Sequence, residues 1–163
     1  MNAKSLTSLI AGTAFFCLLA GAAHAQVPQY GPNVTHEQAR KAVAAAVAEG
    51  RKINVPMAIA VVDNAGQLVA FERMDNTQTA SVGIAQDKAM SAAMYRRSTK
   101  AFQDALAGGG AGLRILNLRG ASAVEGGLPL VIDGKIAGGI GVSGGSPEQD
   151  GVVAKAGTDG LAK

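Results

Sequence analysis

His36 is the histidine whose position best suits chemistry, because it lies near the start of the first helical pattern. At about 3.6 residues per turn it falls nearly in line with Val43 and Val47, so we expect it to point along the apolar side of that helix and not directly into water. An imidazole there can ligate haem iron or transfer protons. A partly buried histidine without a ligand is the alternative. A zinc site usually needs about three or four protein ligands, so one histidine argues against it.

Lys88 is a second candidate, because it falls on the same helical side as Ser81, Ala85 and Ala92. Its aliphatic stem should cross apolar surface, and the common outcome is an ammonium group that reaches past this surface to solvent. The functional alternatives are an ammonium group that binds an anion or one with an altered pKa.

Charged residues also stand at both ends of a predicted hairpin. Arg73 and Asp75 follow its second strand, and Asp63 follows its first. Surface ion pairing is the simplest explanation of these charges. Anion binding by Arg73 and proton transfer by one of the aspartates are the functional alternatives.

The segment from Gly139 to Gly144 matches the G-x-G-x-x-G pattern of dinucleotide-binding loops. Only 19 residues follow Gly144, too few for the returning strand and acidic ribose contact of that unit. Strand geometry explains the glycines better, since Gly139, Gly141 and Ser143 share one face that is almost without side chains. Either a tightly packed helix, which we favour, or a flat ligand must approach that face closely.

Helices and hairpins have to position these residues. The predicted helices cover residues 35–50, 80–96 and 99–106 and a segment that begins at the cap Ser146. The predicted strands cover residues 57–62, 68–73, 128–132 and 135–142, with a type I′ turn at Asp133-Gly134. Because hairpins make antiparallel sheets, this order predicts an α+β fold with helices packed on one sheet.

The first 25 residues have the three parts of a cleavable signal peptide. Lys4 precedes an apolar run at residues 9–20, and Ala23-His24-Ala25 is a small-residue cleavage site. A membrane anchor is the alternative, but a spanning helix needs roughly 20 apolar residues and this run is shorter. We therefore expect export to the periplasm or the medium, without membrane attachment after cleavage.

Cleavage after Ala25 would leave 138 of the 163 residues, enough for one compact domain. We divide this part into an extended leader at residues 26–34 and a domain at residues 35–163. The mature chain would have no cysteine, since Cys17 is removed, and His36 would be its one histidine. It would lose one of 15 basic and none of 12 acidic residues, for a net charge of +2. That dispersed charge argues against nucleic-acid binding.

Sequence blocks spread over most of the chain resemble the GlcG/HbpS-like family. In chain order they are Ile59-Ala60-Val61-Val62-Asp63, Phe71-Glu72-Arg73-Met74-Asp75, Asp87-Lys88-Ala89, Gly126-Gly127-Leu128-Pro129-Leu130, and Gly138 to Gly144 with Gln149-Asp150. The resemblance implies a profilin-like α/β sandwich whose central antiparallel sheet has about five strands. It also implies self-association into homo-oligomers.

The family resemblance implies a ligand site as well. Members bind haem or a corrinoid, promote haem degradation, feed a redox sensor, or occur in operons for small-acid metabolism. Carried over to this chain, the pocket candidates are His36, Lys88 and the loop formed by Gly139, Gly141, Ser143 and Gly144. The leading hypothesis is an exported haem-binding protein for haem storage, degradation or sensing, with His36 as iron ligand and a propionate on Lys88 or Arg73. A corrinoid is the alternative cofactor.

Two other functions remain open. The chain could bind or convert a small hydroxy or keto acid, with Lys88 and Arg73 on the carboxylate and Asp63 or Asp75 handling protons. It could also be an oligomeric interaction module without a small ligand. Whether it is an enzyme stays open.

Overall fold

The computed structural model describes residues 27–161, so the predicted signal peptide lies outside the described residues. Four helices are present: α1 (His36–Lys52), α2 (Ser81–Tyr95), α3 (Thr99–Ala107) and α4 (Pro147–Asp159). Four strands form two consecutive pairs, one between α1 and α2 and one between α3 and α4: β1 (Ala58–Val62), β2 (Leu68–Arg73), β3 (Gly127–Ile132) and β4 (Lys135–Ser143). A 3-10 helix at Gly110–Asn117 follows α3. Within residues 27–161 no helix is long and apolar enough to cross a membrane.

The capping and turn signals in the sequence correctly predicted where these elements begin and turn. Thr35 caps α1 and Ser146 caps α4, each in a capping box with the glutamine three residues later. At the predicted type I′ turn, Asp133 and Gly134 both have positive φ, at 50° and 74°. The 3-10 helix was not predicted, because its glycine-rich start carries no helical hydrophobic period.

The strands form one antiparallel sheet in the order β2-β1-β4-β3. The α+β class is confirmed, but the expected sheet of about five strands is wrong, since this sheet has four. The leader contributes a single parallel bridge instead, between Tyr30 and Ile136 of β4. Two backbone hydrogen bonds fix it: the Gly31 amide donates to the Ile136 carbonyl at 2.8 Å, and the Ile136 amide donates to the Gln29 carbonyl at 2.9 Å. The leader therefore packs on its own domain, beyond the point where β1 ends.

Helices cover both faces of this sheet. On one face, α1 and α4 bury the larger apolar cluster, which includes Ile59 and Val61 of β1 and Ile140 and Val142 of β4. On the other face, α2 lies on the alanine side of β1. Because β1 is buried on both sides, its whole length reads as one apolar run, as the sequence showed.

The glycine face of β4 is filled by α2. A Cβ added to Gly141 would collide with the backbone carbonyl of Ala85, and one added to Gly139 would collide with that of Ala89. Helix packing, the interpretation that we favoured for these glycines, is confirmed. No space for a flat ligand is left between α2 and this part of β4.

Replacing Gly141 with alanine should therefore destabilise the fold strongly. The methyl group would push α2 away from the sheet, and we expect Gly141→Ala to lose about 3 kcal/mol of unfolding free energy. Gly83 is a matched control on α2, because an added Cβ meets nothing within 4 Å there. Gly83→Ala should stabilise the helix by about 0.5–1 kcal/mol. Urea unfolding of the two variants measures both effects, and equal stabilities would contradict this packing.

Candidate functional site

Lys88 forms a buried ion pair with Asp150. Its side chain is 1% exposed, and its Nζ donates to Asp150 Oδ2 at 2.7 Å and to the carbonyl of Val142 at 3.0 Å. The backbone amide of Gly145 donates to the other oxygen of Asp150 at 3.0 Å. The expectation that the Lys88 ammonium reaches solvent is wrong. The anion that it binds is a carboxylate of its own chain.

Small residues make this burial possible. The alanines of α2 bring Lys88 close to β4, and Gly126 closes the site from the other side. A Cβ on Gly126 would lie 2.8 Å from Lys88 Nζ, so a larger residue would displace the ion pair. Burial raises the pKa of the Asp150 carboxyl, and the hydrogen bond from Lys88 offsets only part of this effect.

Beside the ion pair, a cavity of about 300 Å³ opens between α2 and α4. Lys88 and Asp150 form part of its wall together with Ser143 and Asp87. The hydroxyl of Ser143 is buried and donates to Ser81 Oγ at 3.0 Å. We call this space the α2/α4 cavity.

His36 lies on the opposite side of the sheet and is exposed, so the expectation that it points away from water is wrong. It lines an open groove of about 410 Å³ together with Arg40 and Val43 of α1 and Val69 of β2. Because β2 is an edge strand, no further strand of residues 27–161 lies beyond it to cover the first turn of α1. We call this space the α1/β2 groove.

The charges at the ends of the first hairpin have separate roles. Arg73 and Asp75 are exposed and line a third hollow, and neither forms an ion pair among the described residues. Asp63 holds the turn instead, since its Oδ1 accepts the amide of Ala65 at 2.8 Å and that of Gln67 at 2.9 Å. The predicted surface ion pairing is wrong for these three residues.

The fold thus divides the predicted site residues. Lys88 and Ser143 meet at the α2/α4 cavity, whereas His36 is separated from them by the sheet. Gly139 and Gly141 pack under α2, and a Cβ on Gly144 would collide with the carbonyl of Pro56.

Sequence reasoning missed Asp150 and Arg40 as site residues. The helical period carried a signal for Asp150, because it shares the buried side of α4 with Val153, Ala154 and Gly157. Arg40 stands one turn after His36, and this spacing puts both side chains on one face of α1.

A model of the family described as "Haem degrading protein HbpS-like" matches residues 34–159. The chain belongs to the HbpS-like family. This confirms the resemblance drawn from the sequence blocks.

Named relatives agree with this assignment. Protein GlcG of Escherichia coli strain K12 is 38% identical over 110 residues, which cover 68% of this chain and 81% of GlcG. A double mutant of HbpS from Streptomyces reticuli is 27% identical, with a TM-score of 0.73 and coverage of 95% of this chain and 97% of HbpS. A PduOC:haem complex is 28% identical, with a TM-score of 0.71 and coverage of 78% and 94%.

Removing one member of the buried ion pair should cost much more than removing both. Lys88→Met leaves Asp150 buried without its partner, and we expect it to lower the unfolding free energy by about 3–5 kcal/mol. The double variant Lys88→Met/Asp150→Leu should recover most of this loss, because apolar residues of similar volume replace both charges. Lys155→Met, in an exposed pair on α4, is the control and should change little. Urea unfolding would refute the buried pair if Lys88→Met behaved like Lys155→Met.

Proposed function

We propose that this chain is a haem-binding protein and that haem lies in the α1/β2 groove. Two findings support haem as the ligand: the HbpS-like family match and the similarity to a protein solved as a haem complex. The observation that carries the location is His36, an exposed imidazole within a groove that is open to solvent. Storage, delivery to a sensor and degradation of haem are all compatible with such a surface site.

The residues of the groove fit a porphyrin. His36 is the one histidine of residues 27–161 and would ligate the iron, as imidazoles commonly do. The partly exposed side chains of Val69 and Phe71 offer apolar contact to the macrocycle, and Arg40 offers a guanidinium for a propionate. Iron ligated in this way would supply redox chemistry. Arg40 replaces Lys88 in this role, because Asp150 and Val142 already occupy the Lys88 ammonium.

The opposite face of the sheet suits a tetrapyrrole less well. There α2 lies directly on Gly139 and Gly141, so a macrocycle would have to displace a whole helix. A corrinoid meets the same obstacle. We therefore assign the proposed haem to the side of α1.

Self-association fits this proposal. The α1/β2 groove borders an edge strand, so a bound haem would keep one face open to solvent. A second copy of the chain would cover that face, and we propose a homo-oligomer on this ground.

The interaction module without a small ligand, the third function considered above, would leave His36 without a role.

Haemin titration of the mature protein tests the ligand and its location. We expect a saturable shift of the Soret band, and His36→Ala should weaken binding at least about tenfold through the loss of an iron ligand. Arg40→Ala should weaken it less. Lys41→Ala, on the same helix but outside the groove, is the control and should bind as the unaltered protein does. An identical titration of His36→Ala would refute the ligation.

We also propose that the chain is exported, on the strength of its signal-like first 25 residues. Expression of the full chain in a bacterial host should yield a periplasmic or secreted protein whose mass corresponds to a start at Gln26. Full-length protein retained in the cytoplasm would contradict export without affecting haem binding, since the proposed groove lies wholly within residues 36–72.

A further inference from the structure

We propose that the α2/α4 cavity is a second binding site, for a small neutral molecule that carries two or more hydroxyl groups. The cavity has about 300 Å³ and lies where β4 ends, between α2 on one face of the sheet and the start of α4 on the other, away from the α1/β2 groove. The two spaces share no lining residue, so this proposal does not depend on haem binding.

The charges around the cavity argue against an anionic ligand. Asp87 and Asp150 contribute two carboxylates to the wall, and Lys88 contributes one ammonium group. Lys88 is engaged by Asp150 at 2.7 Å, while Asp87 forms no ion pair within residues 27–161. A carboxylate entering the cavity would therefore meet a net negative wall.

Neutral hydrogen-bonding groups provide the recognition. Ser143 is 3% exposed, and because it donates to Ser81 at 3.0 Å its oxygen keeps lone pairs for a hydroxyl donor in the cavity. Gln78 donates to the same Ser81 oxygen at 3.0 Å, which leaves its carbonyl oxygen to accept a second hydroxyl. The side chain of Ser122 can both donate and accept. The hydroxyl groups of a ligand match this set, because each can both donate and accept a hydrogen bond.

Apolar residues complete the wall. Ile84 and Val124 are partly exposed at the mouth of the cavity, and Pro147 starts α4 beside them. They offer contact to a carbon skeleton, as small-molecule sites commonly do. The buried Lys88–Asp150 pair holds α2 and α4 together, so the polar groups keep their places when the cavity is empty.

A pair of probes with the same carbon skeleton tests the ligand class. Glycerol and glycerate differ by a carboxylate in place of one CH₂OH group, and amide NMR spectra of the labelled protein report where each binds. We expect saturable shifts with glycerol at the amides of Ser143 and Gly145, and smaller, non-saturating shifts with glycerate. Ser143→Ala should weaken glycerol binding about fivefold, the effect of one lost hydrogen bond.

A variant that fills the cavity provides the second arm. Ile84→Phe should abolish the glycerol shifts, whereas Val152→Phe, at an exposed position of α4 outside the cavity, should leave them unchanged. Three outcomes would overturn the proposal: no saturable shift with glycerol, tighter binding of glycerate, or equal glycerol shifts in the two phenylalanine variants. If the unaltered protein binds glycerol but not haemin, the proposed haem groove is refuted and the proposed α2/α4 site is not.

Discussion

The close approach of α2 to β4 is the constraint on which the rest of this structure depends. It exists because Gly139 and Gly141 have no side chains and because Ala85 and Ala89 face them from the helix. A helix this close to a sheet excludes any ligand from the interface. It also carries Lys88 into the interior, where an ammonium group is stable only with a partner. Asp150 and the carbonyl of Val142 supply the partners, and so the position of α4 follows from that of α2.

This constraint separates the two proposed binding sites. Where β4 ends, α2 and α4 meet in a buried network of charges and hydroxyls, and the cavity beside it suits a small polar molecule. The face covered by α1 ends at an edge strand, and there the structure presents an exposed imidazole beside apolar and cationic side chains. A broad, flat ligand such as haem suits an open groove better than a cavity of about 300 Å³. The proposed sites therefore differ in ligand class because they differ in how the helices meet the sheet.

The features that the sequence predicted correctly depend on neighbouring residues. Capping boxes, the Asp133-Gly134 turn and the bare glycine face all arise within a few positions of one another, so their physics can be read from a short segment. The Lys88–Asp150 pair joins residues 62 positions apart, and no local pattern specifies it. The exposure of His36 escaped prediction for a similar reason. The helical period placed it on the apolar side correctly, but only the strand order shows that this side runs past the edge of the sheet. The strand number also depends on pairing across the whole chain.

The position of bound haem relative to the sheet tests the account most directly. Ferric haem is paramagnetic and broadens the amide resonances of nearby residues, whereas zinc protoporphyrin is a diamagnetic control for binding itself. If haem lies in the α1/β2 groove, the amides of Arg40, Val43 and Val69 should broaden with haemin and those of Ser143 and Gly145 should stay sharp. Broadening at Ser143 and Gly145, with sharp resonances along α1, would place haem at the α2/α4 cavity and contradict the account.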